Sequence, residues 1–234
     1  MSTTQHLARI GAAATFIGAV LLIVSTVLHP LDSDPADAPA AFAEYAADTH
    51  YVWTHLGQFV GFFGLGIGLV AFAGTFEPGR AAAWGRVGAA GAVASIAMAA
   101  ALQAVDGVAL KATVDRWVAA ESETRPLVYE AAHVVRQVEI GLASFLSVLS
   151  GLTLIAFGFA TLVSARYPAW LGAVGVVVGL GMSAAGAVQA KMGFSGAAMT
   201  LSMASSSAFL LWAVVAAVLM WRLTFRQGGG RDLV

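Results

Sequence analysis

The fold is decided first by residues 10–28, IGAAATFIGAVLLIVSTVL, an uninterrupted apolar run between Arg9 and His29-Pro30. At about 1.5 Å of rise per residue, a helix of this length crosses the hydrocarbon layer of a bilayer, which is roughly 30 Å thick. The run therefore predicts a membrane-spanning helix. A cleavable signal peptide is the alternative, because small residues follow at 36–40, but the apolar core of such a peptide is usually only about 7–15 residues long.

Further apolar runs of similar length follow at about 51–76, 81–105, 138–165, 169–190 and 197–221. The chain of 234 residues is 59% hydrophobic and 11% charged, with a mean hydropathy of +0.82. So few charges cannot solvate the surface of a water-soluble protein of this size. We therefore expect an all-α, polytopic membrane helix bundle with six transmembrane helices, forming one integral membrane domain over 1–234 with the lipid bilayer as partner.

Two connections between the spans have features of their own. Residues 31–50 are rich in Pro and Asp and are expected to form a loop. The third helix keeps a helical apolar stripe as far as Val118, and Thr124 and Pro126 are typical of the start of the fourth helix. The end of the third helix and the start of the fourth are therefore predicted to form a helical hairpin that projects on the outer side.

The distribution of charge predicts the orientation. With the N-terminus inside, the inner side carries seven of the ten arginines and only Glu77 and Asp232 among the acidic residues. Cytoplasmic loops of membrane proteins are enriched in Lys and Arg. We expect both termini in the cytoplasm. Arginine outnumbers lysine ten to two and asparagine is absent, a bias that favours a bacterial origin and hence the plasma (inner) membrane.

Composition also disfavours several classes of function. Without cysteine, disulfides, thiolate metal sites and thiol catalysis are excluded. A net charge of −1 offers no basic surface for nucleic acid. Hydrolase and nucleotide-binding motifs are missing, and the central parts of the spans lack the charged residues typical of ion-driven pumps. An enzyme is therefore the less favoured interpretation.

The segments 66–107 and 151–193 align as an internal repeat with one inserted residue. The matched positions are 69–72 with 154–157, Trp84 with Trp170, and Gln103 with Gln189. Both segments run in the same direction through the membrane, which indicates a parallel hairpin repeat. The two glutamines then lie at equal depth near the outer boundary, where they either hydrogen-bond between helices or line a ligand cavity.

Glycines at a spacing of four residues are typical of close contacts between membrane helices. Such pairs occur at Gly57 and Gly61, at Gly64 and Gly68, and at Gly175 and Gly179. Packing within the chain is the favoured interpretation, and a homo-oligomer formed through these Gly-rich faces is the alternative.

Four of the five histidines fall on the predicted outer side. Without cysteine, a metal there has to be held by imidazole, carboxylate or water. Helical rise places His50 nearly level with His133 and beside His29, whereas His55 lies roughly 10 Å deeper than His133. We therefore expect His29, His50 and His133 to be the cofactor-binding residues, for a haem or a divalent metal. The candidate metal ligands are His50, His133 and Glu130.

Other polar residues near the outer side admit two readings. His55 and Gln58 share a helix face and, with Gln103 and Gln189, are candidates for a ligand cavity. The structural alternative is a set of ion pairs along the hairpin, with Asp106 opposite Glu139 and close to Arg136, and with Lys111 near His133 and Glu130. The Glu-x-x-His spacing of Glu130 and His133 occurs once, whereas di-iron bundles need it twice.

Two functions remain open from the sequence. The first is a membrane binding or redox module with a His/carboxylate site at the extracytoplasmic face. The second is a small-solute carrier or lipid-facing scaffold without a cofactor, in which the repeated hairpins enclose a cavity. The small-molecule ligand cannot be identified from the residues.

Overall fold

The computed structural model describes residues 3–226, and this part of the chain is helical and has no β-strand. In chain order its elements are α1 (Thr3–Val27), α2 (Ala38–Ala47), α3 (Tyr51–Ala73), α4 (Arg80–Gln103), a π-helical segment (Ala104–Leu110), α5 (Lys111–Ala119), α6 (Arg125–Leu162), α7 (Ala169–Met192) and α8 (Gly196–Arg226). Six helices are long and apolar enough to cross a membrane, when α4, the π segment and α5 are counted as one continuous helix. The all-α class and the six candidate spans expected from the sequence are confirmed.

The long helices form a closed ring. Each contacts its neighbours in the order α1, α3, α4, α6, α7, α8 and back to α1. Large apolar side chains point outward around this ring; examples are Ile17, Val20, Phe145, Val177 and Leu211. A helix with apolar residues on its outer as well as its inner face suits a bundle surrounded by lipid.

Part of the segment expected to be a loop forms a helix, α2. Asp37 caps it, because its Oδ1 accepts a hydrogen bond from the backbone N–H of Ala40 at 3.3 Å. Pro39 lies in the first turn. An Asp cap followed by Pro is a recognised start of a helix, so the loop prediction for this part of 31–50 was wrong and the local signal was present.

A small second core holds α2 in place over one end of the ring, which we call the α2 end. Its buried members are Ala41, Phe42, Tyr45, Tyr51, Leu110, Val114 and Ala132, which come from α2, α3, the π segment, α5 and α6. The ammonium of Lys111 also donates to the carbonyl of Ala46 at 2.9 Å and so satisfies a carbonyl in the last turn of α2. Hence α2 is fastened to the bundle over its whole length.

The turn between α5 and α6 begins the fourth long helix where the sequence predicts it. Thr124 directly precedes α6, but its hydroxyl donates to the carbonyl of Glu121 at 3.3 Å and makes no hydrogen bond to an N–H of the helix. Arg125 donates to the carbonyl of Ala120, at 3.2 Å from Nε and 3.0 Å from Nη2. These contacts close the turn, and α5 lies in contact with α6.

Neighbouring helices approach closely at glycines. A Cβ added at Gly61 would lie 2.8 Å from the carbonyl oxygen of Gly18, and one added at Gly158 would lie 2.8 Å from the backbone nitrogen of Val176. Gly57, Gly64 and Gly68 also face α1, and Gly175 and Gly179 face α8 and α6. The glycine pairs singled out in the sequence therefore lie at contacts within the chain, while their role in an oligomer stays a prediction.

We predict that Gly158→Ala lowers the midpoint of thermal unfolding in detergent by several degrees relative to Gly141→Ala. Both substitutions lie in α6 and gain the same helix propensity, about 1 kcal/mol. Only at Gly158 does the new methyl group meet the backbone of α7, and nothing lies within 4 Å of the corresponding position at Gly141. Such overpacking typically costs about 1–3 kcal/mol. Equal midpoints for the two variants would show that the α6–α7 contact tolerates the extra group.

Candidate metal site

Three side chains from different elements converge at the α2 end. His29 lies two residues beyond α1, His55 lies in the second turn of α3, and Asp106 lies in the π segment. Each offers one possible metal ligand atom, and these atoms all lie within 4.8 Å of one another. Within the described part of the chain, these three residues are the group of His, Asp or Glu side chains whose spacing would allow them to bind one metal ion together.

The π segment brings Asp106 to His55. A π turn contains one more residue than an α turn, and such turns are frequent at functional sites. The next residue, Gly107, is buried directly against His55, and a Cβ there would collide with the Cβ of that histidine. Glycine thus permits the approach that leaves Asp106 Oδ2 3.0 Å from His55 Nε2.

Backbone carbonyls fix the protonation pattern of both imidazoles. Nδ1 of His55 lies 2.7 Å from the carbonyl oxygen of Tyr51, and Nδ1 of His29 lies 2.8 Å from that of Pro30. A carbonyl only accepts, so both Nδ1 atoms carry the proton and donate it. In each neutral ring the lone pair is then on Nε2. Histidines that bind metals are oriented in this way.

The lone pair on His55 Nε2 has no hydrogen-bond partner within the described chain. The atom is buried, and although Asp106 Oδ2 is 3.0 Å away, the two are not aligned as a hydrogen bond. A neutral imidazole nitrogen and a carboxylate oxygen are both acceptors and repel at this distance. The contact is favourable only with a positive charge at this position, carried either by a proton on His55 or by a metal cation.

Tyr51 orients the carboxylate as well as the imidazole. Its hydroxyl donates to Oδ1 of Asp106 at 2.6 Å, which leaves Oδ2 directed toward His55. Tyr51 is fully buried, and its ring centroid lies 4.2 Å from that of His55 and 5.0 Å from that of Tyr45 in α2. The ring of His29 also packs on that of His55, with centroids 5.0 Å apart. Consequently α2 covers the site with aromatic side chains.

His29 is held in the form that a metal requires. Burial lowers its pKa below the ordinary value of 6.5, and a positive charge on the neighbouring His55 lowers it further, which outweighs the opposing effect of Asp106. Its imidazole is therefore neutral at pH 7. A neutral ring is the form that coordinates a metal.

A buried ion pair in α6 lies close to Asp106, one of the three residues. Arg136 and Glu139, both in α6 and nearly inaccessible, are 3.4 Å apart between Nη1 and Oε2. The guanidinium also donates to the hydroxyl of Tyr45 at 3.3 Å and to the carbonyl of Pro35 at 3.0 Å. Glu139 is close enough to Asp106 for their charges to repel.

The other predicted site residues lie apart from this group. His50 is exposed immediately before α3. The ring of His133 stacks on that of Tyr129 with centroids 6.0 Å apart, and its Nε2 lies 3.3 Å from Nε2 of Gln137. Glu130 is exposed. Neither the two histidines nor Glu130 belongs to the group with ligand spacing, so their proposed role in binding a cofactor or metal stays a prediction.

The polar residues predicted to line a cavity divide into two sets. Gln58 and Gln103 line an internal cavity on the inner side of the three-residue site. Gln189 is buried away from it, and its Oε1 accepts a hydrogen bond from the hydroxyl of Ser202 at 3.3 Å. The two glutamines matched by the repeat therefore have different surroundings. The expectation that both glutamines contact a ligand stays a prediction.

Asp106 is the site residue that the sequence analysis did not select as a ligand. It was assigned to the ion pairs of the hairpin, where Lys111 was also expected near His133 and Glu130. The ammonium of Lys111 lies 2.6 Å from Oδ1 of Asp115 and donates to the carbonyl of Ala46 in α2. The available signal was the dipeptide Asp106-Gly107 inside an apolar helical run, because an acid followed by Gly marks an irregular or closely packed position.

No family model matches the chain, and no curated protein and no solved structure matches it. Function therefore has to be inferred from the chemistry of the site, since a fold does not determine a function.

We predict that Arg136→Met destabilises the protein by about 3–5 kcal/mol, because it leaves Glu139 buried beside Asp106 without a compensating charge. The double variant Arg136→Met/Glu139→Gln should recover part of this loss, since it removes the unpaired carboxylate. Thermal unfolding in detergent measures both effects. Arg116→Met is the control at an exposed position at the same end. If the two single variants unfold at the same temperature, the buried pair does not support the site.

Proposed function

We propose that this chain is a multi-pass plasma-membrane binding protein that holds one divalent transition-metal ion through His29, His55 and Asp106 at the extracytoplasmic face. The observation that carries the proposal is the buried Nε2 of His55, which lies 3.0 Å from Oδ2 of Asp106 without forming a hydrogen bond. A metal ion satisfies both acceptors at once. Burying them together without a cation would be unfavourable.

The distance between His55 and Asp106 and the types of donor atom suit such an ion. Two ligands that are each about 2.0–2.1 Å from a tetrahedral Zn²⁺ are separated by roughly 3.3 Å, close to the 3.0 Å between His55 Nε2 and Asp106 Oδ2. Imidazole ligands favour zinc, iron, copper or nickel over magnesium or calcium. Two imidazoles and one carboxylate also leave coordination positions open for water or a small ligand.

The groups around the three ligands support the same conclusion. The carbonyl of Tyr51 orients His55, its hydroxyl orients Asp106, and the carbonyl of Pro30 orients His29. Metal sites depend on such outer hydrogen bonds to hold the ligands in position and to raise their basicity. An ordinary buried ion pair does not need all three.

A metal ion fits these histidines better than a haem does. The rings of His29 and His55 are in edge contact, with centroids 5.0 Å apart. A porphyrin held between two axial histidines has to lie between their rings, and this contact leaves no space for it. The proposed cofactor is therefore a single ion, which supports a redox role if it is iron or copper and a binding role if it is zinc.

The charge distribution supports the proposed orientation. The α2 end lies with the acidic part of the chain, whereas most of the arginines lie toward the opposite end, and positive residues favour the cytoplasmic side. Both termini are then cytoplasmic. In this orientation α5 and the first turns of α6 form a hairpin beyond the outer membrane surface, and the three ligands lie near the boundary of the lipid.

A small-solute carrier or lipid-facing scaffold without a cofactor is the second candidate. It is favoured by the internal cavity, with a volume of about 440 Å³, that Gln58 and Gln103 help to line. The ion pair between protonated His55 and Asp106 would then be purely structural. Metal stoichiometry separates the two candidates.

We predict that protein purified in detergent binds one Zn²⁺ per chain and that His55→Ala and Asp106→Asn each weaken this binding by at least about 100-fold. Elemental analysis gives the stoichiometry, and competition with a zinc-sensitive dye gives the affinity. An absorption spectrum of the protein as purified distinguishes iron or copper from zinc.

His50→Ala and His133→Ala are the matched controls, because both histidines lie at the same end and outside the group. Both should bind zinc like the unaltered protein. Loss of binding in these two variants, with retention in His55→Ala, would assign the metal to the set predicted from the sequence. Absence of binding by the unaltered protein would favour the structural ion pair.

We further predict that Tyr51→Phe weakens zinc binding by about 10–100-fold, because Asp106 loses the hydroxyl that orients it. The same dye competition measures the change. Tyr129→Phe removes a hydroxyl from the same end without touching Asp106 and is the control. Unchanged affinity in Tyr51→Phe would show that the carboxylate is positioned by other groups.

A further inference from the structure

The ring of helices encloses a cavity of about 440 Å³ that begins one helical turn below the metal site. Three of its polar residues, Thr26, Gln58 and Gln103, each precede or follow a proposed ligand by three positions in the chain. They form its upper part, while Phe62, Leu65 and Phe209 line it deeper in the bundle. From Gln58 to Leu65 the helix rises roughly 10 Å, so the cavity is elongated along the bundle with a polar upper end.

Two polar atoms of the lining lack a partner. Oε1 of Gln103 and Oγ of Ser150 are buried and form no hydrogen bond with the described residues. Ser150 is only 5% exposed. The hydrocarbon layer of a membrane contains no water that could form hydrogen bonds with such groups, and leaving them without a hydrogen bond is unfavourable. A molecule with its own hydrogen-bonding group at the polar end of the cavity would satisfy Gln103.

The cavity opens sideways between α1 and α8. At the opposite end of the bundle these helices are in contact, since Gln5 Nε2 donates to the carbonyl of Thr224 at 3.1 Å and the guanidinium of Arg9 lies over the ring of Trp221. Toward the α2 end the rim of the cavity includes exposed side chains of both helices, Ile23 of α1 and Met203 of α8. In a bilayer such an opening faces lipid rather than water.

We propose that this cavity is a binding site for an uncharged lipid alcohol, which enters from the surrounding lipid between α1 and α8. Its hydroxyl is placed among Thr26, Gln58 and Gln103, and its apolar chain extends down along Phe62 and the deeper lining. Among the residues that the structure describes, no lysine, arginine or acidic residue lines the cavity, which disfavours a charged head group because its desolvation would not be compensated. This inference goes beyond metal binding and does not depend on it.

The test compares three probes of equal chain length, namely 1-dodecanol, dodecane and dodecanoate, with protein in nanodiscs containing a chelator so that the metal site has no influence. A photoactivatable derivative of 1-dodecanol should label the lining, for example Met203 or Phe62, and unlabelled 1-dodecanol should compete. Dodecane and dodecanoate should compete about three- to tenfold more weakly, because one lacks the hydroxyl and the other carries a charge.

Gln103→Leu should remove the advantage of 1-dodecanol over dodecane. The matched control is Gln189→Leu, which alters the residue at the corresponding place of the repeat outside the cavity and should preserve that advantage. Thr26→Val, a smaller change at the same end of the cavity, serves if Gln103→Leu fails to fold and should also reduce the preference. Labelling spread over lipid-facing positions such as Phe145 and Leu211, or equal competition by all three probes, would overturn the proposal.

Discussion

Where α1 meets α3, Gly18 lies against the backbone of Gly61 and Gly64, and no larger side chain fits between the two helices. In lipid the hydrophobic effect does not drive helices together, because lipid tails are as apolar as the side chains. Close backbone contact then has to supply the packing energy. The same constraint operates between α6 and α7 at Gly158 and Gly172. The ring closes because small residues occur where the helices touch.

Close packing of this kind also explains how a polar site can exist at one end of an apolar bundle. Every polar group that is withdrawn from water needs a partner within the protein. Tyr51 provides two hydrogen bonds to the site and Arg136 provides a compensating charge for Glu139. Tyr45 of α2 then packs on the rings of His29 and Tyr51 and covers part of the site. At the site and in the cavity below it, the atoms that the described residues leave without a hydrogen-bond partner include Nε2 of His55, Oε1 of Gln103 and Oγ of Ser150.

Hydropathy was sufficient to predict the six long helices, because the need to match the thickness of a bilayer leaves a strong pattern. It was insufficient for α2, whose short apolar face is buried by other helices and does not form a long run. Of the three residues that converge at the α2 end, the sequence singled out His29 as a candidate ligand and His55 as a candidate for a ligand cavity. The prediction compared the depths of His55 and His133 in the membrane and assumed regular α-helices. It therefore missed the contact between His55 and Asp106, which lies in a π segment.

Because of the π segment, the site depends on the number of residues in 104–110 as well as on the identity of its side chains. Deleting one residue from 104–110 would restore regular α-helical winding and turn the following residues by about 100° relative to those before them. The carboxylate and the imidazole would then no longer face each other, although every histidine and aspartate was still encoded. A lineage of such proteins can therefore gain or lose the site through the insertion or loss of a single codon.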